Sequence, residues 1–474
     1  MKSNKLISLL SKFSAEQHRA FVDFVRSPYF NKRQDVVLLY NHLRGLAPTF
    51  KAAAIEHEKL YKVVYGEAPY NDKQLKYVMN FLLKIAEHFL AIQAFEQDTL
   101  PRYEKQMEVF IQNDLDKHYA HSKRKVTQFV ENNPIEDSNT YYWQYRIAIL
   151  HDDYTMKVDS RKYSVYLQEA ADALDQFYFS QKLQLIAEMK NRARVMMQTY
   201  DIRFEEPLMQ LVAEHHETLS PLVGIYYRII QLIEENDIQV QLDALISLLN
   251  EHFDRLSPQE QEQVIGYSIN HCSRKIRQGD RPKYHGSQAL WLYRIALSQR
   301  IFYKGDYLPA VHFRNIIKLA LNLKQYKWAE SFIQDYNDQL REEERADAMN
   351  YNLAEFYYHQ QQYAKAMIHL QQALNAKEFV YKVNARILLL KVYFELAEEE
   401  PLLSLLASFK LLLRRNNNAS KTIIDTRLNF CRLLTRIMRR PADEDQRLKV
   451  AIETTKPLTD RKWLLQAYKK MVTG

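Results

Sequence analysis

The densest concentration of groups that could do chemistry lies near the C-terminal end of the sequence. From Lys410 to Arg440, nine basic residues (Lys410, Arg414, Arg415, Lys421, Arg427, Arg432, Arg436, Arg439 and Arg440) accompany one acid, Asp425. That local excess of +8 equals the formal charge of the whole chain. A helix beginning near Lys421 gathers Arg432, Arg436, Arg439 and Arg440 on one face, with Ile424, Leu428, Cys431, Leu434 and Met438 on the other. Such a stripe could hold nucleic-acid phosphates, an acidic peptide or an anionic membrane surface. The membrane is the weakest of the three, because the apolar face offers no Trp or Phe anchor beyond Phe430. Charge runs are most often solvated faces, paired here with acids such as Glu342, Glu343, Glu344 or Glu398, Glu399, Glu400. Arg427 falls inside the apolar arc, so it needs a buried partner or an outward snorkel.

The remaining chemical candidates are sparse. His118 and His121 could share a helix face, but no third ligand accompanies them at a spacing that zinc would use. His215 and His216 point to different sides of a helix, as do His271 and Cys272. His151, Asp152 and Asp153 are adjacent and diverge in the same way. Cys272 and Cys431 are the only cysteines, which excludes a disulfide framework and a CxxC metal or redox pair. Neither a phosphate-binding glycine loop nor a nucleophile elbow nor an HExxH zinc motif occurs. No catalytic residue, metal ligand, cofactor or small-molecule substrate is therefore expected. The Tyr141, Tyr142, Trp143, Tyr145 cluster could stack bases, but periodic aromatics more often fill the gaps between paired helices.

Composition says what must position these groups. The 474 residues include only 8 glycines, against roughly 33 at average usage. Glycine serves tight turns, hairpins and phosphate loops, so a chain this poor in it is built from helices. Prolines punctuate the gaps, as at Pro48, Pro101, Pro134, Pro258 and Pro401. No signal-peptide pattern opens the sequence, and no apolar stretch approaches the ~20 residues of a membrane span, so a cytoplasmic protein is expected.

Local signals place several helices. Ser14 with Gln17 predicts a capping box ahead of Phe21, Phe24 and Val25, and Ser27-Pro28 ends that helix. Asn31 with Gln34, and Asn71 with Gln74, predict two further starts; the second opens a stripe of Leu75, Val78, Met79, Leu82, Leu83, Ala86, Phe89 and Leu90. Pro134 to Ser138 is the clearest break between long helices. The expected division is residues 1–97, 98–219 and 220–474.

Beyond about residue 220 a repeat emerges. Leu353-Ala354-x2-Tyr357 is followed by Ala366-x3-Leu370-x2-Ala373, with small residues where paired helices would approach most closely. Phe313, Ile316, Ala320, Tyr326, Ala329 and Ile333 fall at the same offsets 37 residues upstream, and Leu389, Leu390, Tyr393, Leu402 and Leu406 lie 36 residues downstream. The pattern resembles the tetratricopeptide repeat, well over residues 305–415 and loosely over 220–474. It departs from that family at Asn350, where tryptophan is usual, at Tyr336 and Phe409, which replace a small residue, and in lacking the closing proline. The strings Ser27-Pro28-Tyr29-Phe30-Asn31 and Leu174-Asp175-x-Phe177-Tyr178 are also similar to an uncharacterised bacterial protein family.

The fold implied is all-α, an α-solenoid of stacked antiparallel helical hairpins with an N-terminal helical region. Such stacks bury each other's apolar faces and leave a concave surface for a partner. The expected function is a non-catalytic protein–protein interaction scaffold holding a peptide or protein, with an acidic partner a natural match. Asn350, Asn352, Tyr357, Tyr358, Asn384 and Arg386 are the expected partner-binding residues, since Asn and Tyr can hold backbone while basic groups select acidic ends. The alternative is RNA or DNA binding through Arg414, Arg415, Arg432, Arg436, Arg439 and Arg440. No two-residue base-reading code recurs to support it.

Overall fold

The computed structural model describes residues 4–51, 54–196, 199–215, 218–235, 238–416, 420–439 and 445–473. Among them the chain is all-α: it forms 23 α-helices, and no strand occurs beyond an isolated bridge between Lys304 and Tyr307. Contacts divide it into two compact units, Met1–Gln181 and Lys182–Gly474.

In the first unit the local signals act as their chemistry requires. Ser14 and Gln17 complete a reciprocal capping box on the helix Ala15–Arg26, which stops before Ser27. Asn71 caps the helix Asp72–Gln97 through the Gln74 N–H. Asn31 instead turns its amide onto the carbonyls of Val25 and Arg33, and the next helix, Gln34–Gly45, begins three residues later. The break at Pro134 separates the helices Asp116–Asn132 and Ser138–Val158.

One expectation is corrected here. Asp72–Gln97 is long and apolar enough to cross a bilayer by length and composition, whereas no such stretch was expected. Lys84, Glu87 and His88 interrupt its apolar sequence. Its Leu75, Val78, Met79, Leu82, Ile85, Ala86 and Phe89 are buried in one cluster with Leu10, Phe21, Leu39 and Tyr40. A second cluster gathers Leu100, Met107, Tyr119, Val126, Ile147 and Leu150, with Trp143 packed against it. Tyr141 is buried and Tyr142 meets the rings of Trp143 and Phe177, so these aromatics pack.

In the second unit, consecutive helices pair. Pro258–Gln278 packs on Pro282–Ser298, Glu342–His359 on Tyr363–Ala373, and Phe379–Glu395 on Glu399–Arg415. The leading helices also touch one another: Ala310–Asn322 meets Glu342–His359, which meets Phe379–Glu395. Ala320, Ala329, Ala354, Ala366 and Ala373 are fully buried, as the spacing of small residues requires where backbones approach closely.

The turns between paired helices explain how so little glycine suffices. Lys324, Gln361 and Ala397 follow the first helix of three successive pairs and adopt φ of 59°, 61° and 58°. After each, the next N–H reaches back five residues: Gln325 to Ala320, Gln362 to Tyr357 and Glu398 to Tyr393, each at 2.9 Å. This is the left-handed helix stop that glycine ordinarily fills, and Gly279 does fill it after Pro258–Gln278, with φ 79°. Elsewhere side-chain-bearing residues hold the conformation at a cost of roughly 1 kcal/mol each. The three turns recur at intervals of 37 and 36 residues, the period of the buried pattern.

Candidate functional site

A cavity of about 250 Å³ opens within the second unit, and its walls are polar. Ala310–Asn322 presents Arg314, Asn315 and Lys318; Glu342–His359 presents Tyr351 and Glu355; Phe379–Glu395 presents Asn384 and Lys391. Spacings of three, four or seven residues, one or two helical turns, keep each set on one face. Lys318, Glu355 and Lys391 follow one another at intervals of 37 and 36 residues, as do Arg314, Tyr351 and Ile387. Equivalent positions of three successive helix pairs thus build one wall. Arg427, from Lys421–Arg439, and Thr459 with Asp460, just before Arg461–Thr473, complete it.

Asp460 is the focus of the charge. It adopts φ 51° and accepts hydrogen bonds from the Lys391 ammonium and, at 2.8 Å, from the Thr459 hydroxyl. Burial would raise its carboxyl, but Lys391 and Lys318 hold it well below the usual carboxylate range. Burial lowers the Arg427 guanidinium, Asp460 opposes that shift, and Arg314 adds to it by like-charge repulsion. The Arg427 Nε is buried without a hydrogen-bond partner, while one terminal nitrogen reaches the Ile423 carbonyl at 3.5 Å. Burial pushes the Tyr351 phenol far up, reinforced by Glu355, to which its hydroxyl donates.

No protein-family model and no curated protein matches the chain.

Of the six residues expected to bind a partner, Asn384 lines this cavity. The others are engaged elsewhere. Asn352 is 1% exposed and gives its amide to the Ala348 carbonyl, so it offers nothing to a partner. It lies 100° around the helix from the cavity-facing Tyr351, which places it in the interior. Asn350 bonds Ala346 and the His369 ring, on which Tyr357 stacks at 5.5 Å. Tyr358 packs against Tyr363 at 5.9 Å. Arg386 donates to the carbonyls of Leu374 and Lys382, and burial lowers its guanidinium. Sequence reasoning missed Arg314, Lys318, Tyr351, Glu355, Lys391 and Asp460. The recurrence of polar groups at the repeat interval was the available signal for the helical ones; nothing local marked Asp460.

The basic stripe is exposed. Arg414, Arg415, Arg432 and Arg439 lie at the surface and make no ion pair among the described residues; Arg436 is partly buried. Arg440 lies outside the described residues. Burial lowers the Lys410 ammonium, Arg439 and Arg414 push it the same way, and it donates to the Thr435 hydroxyl at 2.8 Å. Neither acidic run answers these arginines. Glu342, Glu343, Glu344 and Glu399, Glu400 instead occupy the first turns of their own helices, where the dipole favours them.

Among the described residues, no three or more His, Cys, Asp or Glu side chains converge as a metal site. His118 packs on Phe110, and His271 is buried with Nδ1 3.1 Å from the Leu232 carbonyl. His216 lies outside the described residues. His151 is buried with Nδ1 2.7 Å from the Tyr119 hydroxyl, and burial, with Lys123 nearby, lowers it to about 4. Cys272 and Cys431 are fully buried, which pushes both thiols up to about 12.

Proposed function

We propose that this chain is a non-catalytic protein-interaction scaffold whose second unit is a solenoid of tetratricopeptide-like helical hairpins. A partner segment is held across the face shared by Ala310–Asn322, Glu342–His359 and Phe379–Glu395. One observation carries the reading: three successive repeats contribute equivalent side chains to a single polar cavity. Core residues recur in a repeat because packing demands it. Charged residues recurring into one polar cavity serve no demand of apolar packing, and the excess of cations there favours an acidic segment.

The test is retrieval of the tagged chain from its native lysate, with and without nuclease. A discrete protein partner is expected to survive nuclease and moderate salt. It should be lost on changing Arg314→Glu with Lys318→Glu and kept on changing Arg432→Glu with Arg439→Glu. A second reading is favoured by the unpaired arginines around Lys410: nucleic-acid binding on the stripe. Recovery of RNA or DNA, falling steeply with salt and abolished by the Arg432 and Arg439 changes, would replace the first reading with the second.

A further inference from the structure

The cavity's charges do not balance. Arg314, Lys318, Lys391 and Arg427 meet two carboxylates, Glu355 and Asp460, an excess of two positive charges. Both carboxylates are already engaged, by Tyr351 on one side and by Lys391 and Thr459 on the other. Arg314, Lys318 and Arg427 make no ion pair among the described residues. A buried guanidinium Nε without an acceptor is costly, and an apolar residue in the same arc of the Lys421–Arg439 helix would avoid that cost.

We propose that the cavity binds a phosphate dianion, held by Arg314, Lys318 and Arg427 beside Asp460. Charge is the first argument: a dianion cancels the excess of two, whereas a single carboxylate leaves half of it. Size is the second: about 250 Å³ admits a phosphate group with water, but falls below the ~300–1,000 Å³ of sites that engulf a drug-sized ligand. Chemistry is the third, because guanidinium forks match tetrahedral oxyanions and leave less entropy to lose than an ammonium does. Asp460 positions rather than binds. It draws the Lys391 ammonium to itself, and its negative charge moderates the affinity of the other three cations. The phosphate is either free or carried on a larger molecule, and the chemistry at the cavity is the same. This inference stands independently of the scaffold reading, since free phosphate needs no protein partner.

The full chain would be titrated calorimetrically with inorganic phosphate at about pH 8, where the dianion dominates, and separately with a phosphoserine hexapeptide and its unphosphorylated twin. Saturable one-site binding of a phosphate-bearing probe is expected. Lys318→Gln and Arg314→Gln should each weaken it about tenfold, and Asp460→Asn should strengthen it about tenfold, ~1.4 kcal/mol in either direction. Lys318 is exposed, so its variant keeps the fold, and circular dichroism checks the other two. Tighter binding of the phosphopeptide than of inorganic phosphate would identify a carried phosphate, and the reverse a free one. Absence of saturable binding by both phosphate probes would overturn the proposal, as would binding indifferent to Lys318→Gln and Arg314→Gln. A lost protein partner alongside intact phosphate binding would sink the scaffold reading alone.

Discussion

The described buried ionisable groups of the first unit and the cavity of the second unit treat charge in opposite ways. In Met1–Gln181 each buried ionisable group meets a partner: Glu104, 3% exposed, pairs with Arg146 at 2.6 Å, His18 with the Tyr40 hydroxyl at 3.0 Å, and His151 with Tyr119 at 2.7 Å. In Lys182–Gly474 the cavity gathers four cations around two carboxylates and leaves a guanidinium nitrogen without an acceptor. Matched groups hold a fold in one arrangement, and unmatched groups of one sign leave a cost that an opposite charge would relieve.

Acid should produce the largest effect. His151 ionises near its ordinary value of 6.5 in the unfolded chain but near 4 when folded, because burial disfavours the cation. The stabilisation is thus complete above pH 6.5 and drains away as pH falls toward 4, by about 3 kcal/mol in all. Native-state hydrogen exchange in residues 100–158, followed from pH 7 to 4, should show that loss, and His151→Gln should flatten it. An unchanged slope in the variant would mean that the histidine is solvated.

The direct comparison comes next. Glu104→Gln strands a cation that has some access to water, so it should cost about 2 kcal/mol in urea denaturation. Lys318→Gln removes an exposed cation that makes no ion pair and only assists Lys391 in holding Asp460, so it should cost no more than about 0.5 kcal/mol. Equal losses from the two would erase the distinction between the units.

The smallest effect tests the repeat itself. Ala397→Gly relieves a left-handed residue and should raise stability by about 0.5 kcal/mol, the relief being partly offset by the added freedom of the unfolded chain. Gln361→Gly at the equivalent turn should do the same within experimental error. A gain at one turn and a loss at the other would mean that the turns are not equivalent.

Much of this architecture was legible in the chain, and the reasons differ from place to place. The helix starts at Ser14 and Asn71 were readable because a cap is a contact between residues three apart. The buried alanines of the paired helices were readable because close approach admits only small side chains. Arg427 stood out as a charge in an apolar arc, and the cavity is where that charge points. The residues that line the cavity were harder, because choosing between Asn352 and Tyr351 requires the helix's rotation to within one residue, and both faces carry polar groups. Asp460 could not be foreseen. It reaches Lys391 from 69 residues away, through a turn that no periodicity describes.

The two cysteines carry a practical consequence. With both sulfurs sealed in the interior and their protons held tightly, neither Cys272 nor Cys431 offers thiolate to an alkylating reagent at neutral pH while the helices around it stay closed. A cysteine introduced at the surface would therefore accept a dye alone, with no need to remove the resident pair. The slow uptake of reagent by the resident pair would then serve as a clock, timing how often the second unit breathes open.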